Sequence, residues 1–241
     1  MSTNACLALI PDGPMQSWGH SSRFERRTTA LHPTRSGIVG LIAAALGIDK
    51  HAADEAKQLA RFDVLQIATL SLPRCVHRTD EVLIQRLEDY HTVTGIRRAS
   101  GKVDRDATVQ TYRHYLLDAR FGVLLEGPLR LLEEIAAALL NPKWGVWLGR
   151  KCCLPASPLL VAPPGDRASV WSTLLTRAGY TGTESEDYFD RVIEVAATDS
   201  GADMIEDTPV AFGAPIGERH GPRWIRRIPR STPPSPSTGT G

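Results

Sequence analysis

An α+β fold is predicted by the order of apolar segments, by two helices with clear stop signals, and by two β-favouring arms around a basic tip. The first strand is predicted in ACLALIPDGP (residues 5–14), which ends at Pro11 and a turn. Residues 14–33 are polar and basic without periodicity and read as a loop. PTRSGIVGLIAAALGI (33–48) then opens a helix over Ser36–Leu46, with Gly47 as its stop. Its small residues, Gly37, Gly40, Ala43, Ala44 and Gly47, would let it lie close against a sheet. Lys50–Ala60 has the polar pattern of a surface helix, and RFDVLQIATLSLPRCVH (61–77) reads as a long strand.

The arms Tyr90–Ile96 and Ala107–Leu117 flank GIRRASGKVDRD (95–106), the pattern of an extended hairpin with a basic tip. RFGVLLEG (120–127) continues as a buried strand. PLRLLEEIAAALLNP (128–142) is the clearest helix, opened by Pro128 and ended by Asn-Pro. GVWLGRKCCLPASPLLV (145–161) reads as one or two short strands, with Trp144 and Trp147 placed in the core. The order of strands and helices matches a ferredoxin-like βαββαβ unit carrying an inserted hairpin, and the sheet face of such units is a platform for RNA. The expected organisation is a ferredoxin-like domain over 1–154 with the hairpin at about 78–115, a small, mainly β subdomain over 155–230, and a disordered tail over 231–241.

Net charge is +1, but the charges are segregated. Arg23, Arg26, Arg27 and Arg35 cluster in 20–35; Arg97, Arg98, Lys102, Arg105 and Arg113 in 91–115; Arg219, Arg223, Arg226, Arg227 and Arg230 in 217–230. Residues 181–210 are acidic, with Arg191 as their single cation. Three Arg-rich blocks suggest a surface for a polyanion and point to nucleic acid, with solvated loops as the alternative.

Other chemistries have less support. TRSGIVG lacks the Lys of a phosphate-binding P-loop. What survives there is a phosphate held by Arg35, the Ser36 hydroxyl and the first helical N–H groups, or else a plain N-cap. The seven histidines show no metal-ligand spacing, no GxSxG elbow is present, and Cys6, Cys75, Cys152 and Cys153 read as reduced structural thiols. No cofactor, metal or small-molecule substrate is expected. No apolar run is long enough to span a bilayer and the first residues show no signal peptide, so a cytoplasmic protein without membrane contact is expected. His91, His114, Tyr112 and Lys102 could in principle serve a metal-independent ribonuclease, though His and Tyr on a basic hairpin also stack and hydrogen-bond. Trp18 could stack on a base or anchor its loop to the core.

In order along the chain, GPMQSWG (13–19), PTRSGIVGLIAAALGI, DYHTV (89–93), YRHYLLDARFGVLLEG (112–127) and WGVWLGRKCCLPASPL (144–159) resemble the CasD family, the fifth Cas protein of the type I-E CRISPR Cascade complex. The resemblance is detailed over residues 5 to 160. It implies an RNA-recognition fold whose hairpin is a thumb, and a non-catalytic subunit that caps the 5′ handle of the CRISPR RNA. It also implies contacts with the backbone and large subunits. The alternative is a metal-independent endoribonuclease processing precursor CRISPR RNA, as the equivalent type I-C subunit does with a Tyr, a Lys and a His. The candidate RNA-contacting residues are Gln16, Ser17, Trp18, Gly19, Arg23, Arg26, Arg27, Thr34, Arg35, Ser36, His91, Arg97, Arg98, Lys102, Arg105, Arg113, Arg150 and Lys151.

Overall fold

The structure is a computed structural model that describes residues 4–19, 25–76, 80–82, 84–97, 100–101, 103–213 and 217–231, with the side chains of 75–76, 80–82 and 103–106 outside the description. In chain order its elements are β1 (Asn4–Leu9), β2 (Met15–Gln16), β3 (Arg26–Arg27), α1 (Arg35–Leu46), α2 (Glu55–Ala60), β4 (Gln66–Ser71), β5 (Arg74–Val76) and β6 (Asp80–Val82). There follow β7 (Gln85–Arg97), β8 (Val103–Leu117), β9 (Phe121–Pro128), α3 (Leu129–Leu140), α4 (Arg167–Arg177), β10 (Arg191–Glu194), β11 (Asp203–Ala211) and β12 (Arg219–Ile228).

A six-stranded sheet in the order β1-β9-β4-β10-β12-β11 forms the centre, and every pairing in it is antiparallel. Beyond β1 the backbone of 159–165 completes the ferredoxin-like unit. Ile10 N–H donates to Leu159 O (2.8 Å), Val161 N–H to Ala8 O (3.0 Å), and Cys6 and Gly165 exchange two bonds. The spatial order 159–165, β1, β9, β4 is therefore fourth, first, third, second. The short strands expected in 145–161 reduce to this bridged edge. Pro155, Pro158, Pro163 and Pro164 remove the donors that a regular ladder needs.

Alternation along β1 splits its side chains between two cores. Leu7 and Leu9 pack with Ile38, Ile42, Leu132 and Ile135 of α1 and α3. Cys6, Ala8 and Ile10 pack with Val170, Leu174 and Leu175 of α4 and with Phe189. The β1, β9 and β4 part of the sheet is thus covered on both sides, and these strands read as nearly continuous apolar runs. This closes the face expected as an RNA platform. Helix α4 was not legible beforehand because Ser, Thr and Arg fill its outer positions; Asp166 caps it, accepting from Ser169 N–H at 2.9 Å.

The 155–230 segment, expected as a small, mainly β subdomain, joins the central sheet. Its strand β10 pairs with β4, and β12 and β11 follow, so the segment prolongs the same sheet. Helix α1 packs against β11 on one side and α3 on another, with its inner residues in the main core, which explains why it is buried almost all round. Gly47 ends it in the left-handed region (φ 74°). Its glycines receive other side chains rather than the sheet: a Cβ at Gly37 would lie 2.7 Å from the Trp18 ring, and Gly40 faces Phe212. Helix α2 begins only at Glu55, because 49–54 form turns closed by Asp49 Oδ1 accepting from His51 N–H (2.9 Å). Trp144 is exposed and Trp147 half-buried, so neither is a core residue as expected. Among the described residues no helix is long and apolar enough to cross a membrane.

Candidate nucleic-acid interface

The hairpin β7–β8 leaves the body as a two-stranded ribbon in which Tyr90 lies opposite Tyr112, Asp89 opposite Arg113 and Glu88 opposite His114. At its root β8 also pairs with β2, and in parallel with β3, which sets Arg26 beside Tyr112 and Arg27 beside Arg113. Strand alternation sends Tyr112 and His114 to one face of β8, and Arg113 and Tyr115 to the other.

On the first face the Tyr90 and Tyr112 rings lie 5.2 Å apart, and the Arg26 guanidinium sits 4.8 Å from the Tyr112 ring centre. His114 Nε2 lies 2.6 Å from a Glu88 carboxylate oxygen. On the second face the Arg150 guanidinium stacks 4.7 Å over Tyr115 and donates to His114 O (3.2 Å) and Arg27 O (2.9 Å). Arg150 thereby ties the loop after α3 to both β8 and β3. Burial, then the nearby Cys152 thiol, pushes the Tyr115 hydroxyl above its ordinary pKa, so it stays a neutral hydrogen-bonding group. Lys151 is exposed beside Arg150, its ammonium 5.7 Å from the Trp147 ring.

The structure therefore brings Arg26, Arg27, Arg113 and Arg150, with Lys151 next to it in sequence, to the root of the hairpin, Arg26 over Tyr112 on one face and Arg150 over Tyr115 on the other. Tyr115 was missed as the partner of Arg150, and Tyr90 as the neighbour of Tyr112; for Tyr115 the signal available was the alternating YRHY of 112–115. His91 and Arg97 lie farther out along β7, both exposed. Arg23, Arg98 and Lys102 lie outside the described residues, and Arg105 is described only as backbone within β8.

The other candidates are parts of the scaffold. Trp18 is 0 % exposed, packed on Gly37, with its indole N–H donating to Gln16 Oε1 (3.0 Å); it has no free face to stack on a base. Gln16 Nε2 donates to Pro11 O (3.2 Å) and Ala119 O (2.6 Å), and Ser17 Oγ to His114 O (3.1 Å). These three buried residues fix the root of the hairpin from beneath. Gly19, at the end of that segment, is exposed.

The start of α1 holds a carboxylate of the chain itself where a phosphate was considered. Thr34 Oγ1 caps the helix by accepting from Gly37 N–H (3.2 Å), with Ser36 Oγ 3.4 Å from it, and Arg35 N–H donates to Asp207 Oδ2 at 2.8 Å. The Arg35 side chain is 4 % exposed and donates to Leu65 O (2.9 Å), Phe62 O (2.7 Å) and Glu194 Oε1 (2.7 Å). Arg223 joins the same group, gripping Asp207 at 2.5 and 2.8 Å and Glu194 at 3.0 Å. Burial alone would raise the Asp207 carboxyl, but the hydrogen bonds and charge of Arg223 hold it below the ordinary carboxylate value. Arg226 pairs with Asp199 (3.7 Å) and Arg227 with Asp203. The C-terminal basic block is thus largely matched by the acidic segment, and it does not join the hairpin cluster.

The family model for the CRISPR-associated protein family Cas_Cas5 matches residues 6–208. The chain is 35 % identical over 161 residues to the CRISPR system Cascade subunit CasD of Escherichia coli (strain K12), covering 64 % of this chain and 69 % of that one. Among solved structures, a chain described as a CRISPR RNA-guided surveillance complex superposes with a TM-score of 0.72 and 29 % identity, covering 99 % of this chain and 95 % of the other. A second, described as a crystal structure of a Cas protein, gives 0.56 and 28 %, covering 96 % and 99 %. With its ferredoxin-like core, long hairpin and these matches, the chain belongs to the Cas5 family of CRISPR-associated proteins, in its CasD branch.

Proposed function

We propose that this chain is an RNA-binding, non-cleaving subunit of a Cascade-type surveillance complex. In this reading it caps the 5′ handle of the CRISPR RNA and touches the backbone and large subunits. The observation that carries the reading is the root of the hairpin: Arg26 lies over the Tyr112 ring, which Tyr90 flanks, and Arg150 lies over Tyr115 on the other face, with Lys151 next to it in sequence. A cation beside the exposed Tyr90 and half-buried Tyr112 rings suits a single strand, with phosphates against guanidinium groups and bases on aromatic faces. The outer hairpin adds to this. Residues 91–95 are exposed, and a two-stranded ribbon without a packed face is marginal alone, so a partner that covers it would stabilise it.

The test is reconstitution of the complex with its guide RNA and a nuclease footprint of the bound transcript. Protection of the 5′ end that disappears in an Arg26→Ala/Arg150→Ala variant, with the fold retained, is the expected result. Protection unchanged in that variant overturns the reading.

A cleaving role has one observation in its favour: His114, oriented by Glu88, shares a strand face with Tyr112. Repeat RNA incubated with the chain and a chelator would be cut under that reading and left intact under the first.

A further inference from the structure

The turn that carries Arg150 also carries two adjacent cysteines in unlike surroundings. Cys152 is exposed, and its thiol lies 3.6 Å from the Tyr115 hydroxyl. Cys153 is 0 % exposed within the main core, and the two sulfurs are 3.9 Å apart. The turn is held by Cys153 N–H donating to Arg150 O (2.8 Å) and Leu148 N–H donating to Cys153 O (2.8 Å). It is also pressed against the segment after β2: Gly149 has φ 89°, and a Cβ there would overlap the Ser17 carbonyl. One thiol is reachable from solvent, and the other is shielded but within easy reach of the first.

We infer that Cys152 and Cys153 form a modification site, a vicinal dithiol that a hydroperoxide converts reversibly to a disulfide. Cys152, the accessible thiol with Arg150 and Lys151 beside it in sequence, is oxidised first. Its sulfur takes one oxygen of the hydroperoxide, the O–O bond breaks, and water or an alcohol leaves, giving a sulfenic acid. The Cys153 sulfur then attacks the Cys152 sulfur. The S–S bond forms, the S–O bond breaks, and the departing hydroxide takes the Cys153 proton as water. The sum is two thiols and one hydroperoxide giving one disulfide, one water and the reduced peroxide. Burial, with the neighbouring Cys152, raises the Cys153 thiol to about 12, which suits a group that waits for its neighbour rather than reacting alone.

The geometry also implies that the bond is labile. Adjacent residues hold their Cα atoms about 3.8 Å apart, closer than the usual disulfide span, so the ring is strained and readily reduced. Closing it consumes the thiol that meets Tyr115 and pulls on the turn from which Arg150 reaches His114 O and Arg27 O. Resting on the RNA-binding reading above, oxidation is expected to weaken the grip on RNA by about tenfold, the worth of one charge-assisted hydrogen bond.

The experiment treats the full chain with hydrogen peroxide, blocks free thiols, and weighs the tryptic peptide that begins at Cys152 and ends at Arg167. The expected wild-type product is unblocked, lighter by two hydrogens, and restored by a dithiol reductant. Cys153→Ser should stop at higher oxides of Cys152, and Cys152→Ser should leave Cys153 intact. Wild-type peptide that keeps two blockable thiols, or that carries a sulfinic acid beside a free Cys153, overturns the inference. Guide-RNA binding by the reconstituted complex is then compared before and after oxidation. A disulfide that leaves affinity unchanged removes the coupling to RNA. Absence of RNA binding in the reduced complex instead counts against the functional reading and leaves the peptide masses standing.

Discussion

The arginines of β12 and Arg26 at the root of the hairpin come from equally basic stretches of sequence, yet the fold uses the β12 set and the root set, Arg26 with Arg150, in opposite ways. Arg223, Arg226 and Arg227 each meet a carboxylate from the acidic segment, and Arg223 is locked with Arg35 around a fully buried Asp207. Arg26 and Arg150 make no ion pair among the described residues and lean instead on tyrosine rings and backbone carbonyls. The first group is matched within the chain; the second has no carboxylate partner among the described residues and stays available to the RNA proposed above. Density of Arg along the chain does not distinguish them, because the deciding partner is remote: Arg35 and Glu194 are 159 residues apart.

The largest break in this comparison should come from Asp207→Ala. Removing it leaves Arg223 and the first N–H of α1 buried without their acceptor, a loss of about 3–5 kcal/mol by analogy with other broken buried pairs. Urea unfolding of the purified chain measures it, and a loss below about 1 kcal/mol would sink the idea that this network locks α1 to β12. Next comes Arg26→Ala combined with Arg150→Ala. RNA affinity in the complex is expected to fall about 30-fold or more, with a much smaller change in unfolding midpoint. The reverse pattern, a stability defect with affinity intact, would erase the distinction between the two groups.

A pH series sharpens it further. Asp207 sits below the ordinary carboxylate value, so its stabilisation is complete above about pH 4 and drains away as pH falls through the native value. His32, close by, is also lowered, mainly by burial and then by the charges of Arg223 and Arg227. A lowered histidine contributes fully above about pH 6.5, loses that contribution below it, and levels off past its native value. The unfolding midpoint should therefore drop in two steps on acidification, and His32→Gln should abolish only the first. A single step in the wild-type chain contradicts this. The smallest effect is expected from Arg227→Ala, which opens the exposed pair with Asp203 and should cost about 0.5 kcal/mol or less by the same unfolding measurement.

Local signals were read well where they are self-contained. Helix α3 announces itself by Pro128 and its apolar spacing, α1 by Thr34 and Gly47, and the hairpin by its β-favouring arms. The failures share a cause. Trp18 sits in a basic, polar stretch, but its burial depends on the space left at Gly37, and α4 is apolar only on the narrow stripe that meets the sheet. The candidate site was half legible: its cations stand out, whereas the tyrosines they rest on are defined by cross-strand register. The phosphate considered at Arg35 gave way to Asp207, whose approach to α1 nothing near residue 35 foretells.

Helix α1 is finished by β11, far downstream in the chain. Its leading N–H meets a carboxylate 172 positions downstream, and β1 waits for β9 and then for Gly165 before its own ladder is complete. A nascent chain emerging from the ribosome can therefore form α1 early but cannot close it in until Asp207 has followed. Such delayed closure favours slow maturation and a period of dependence on chaperones.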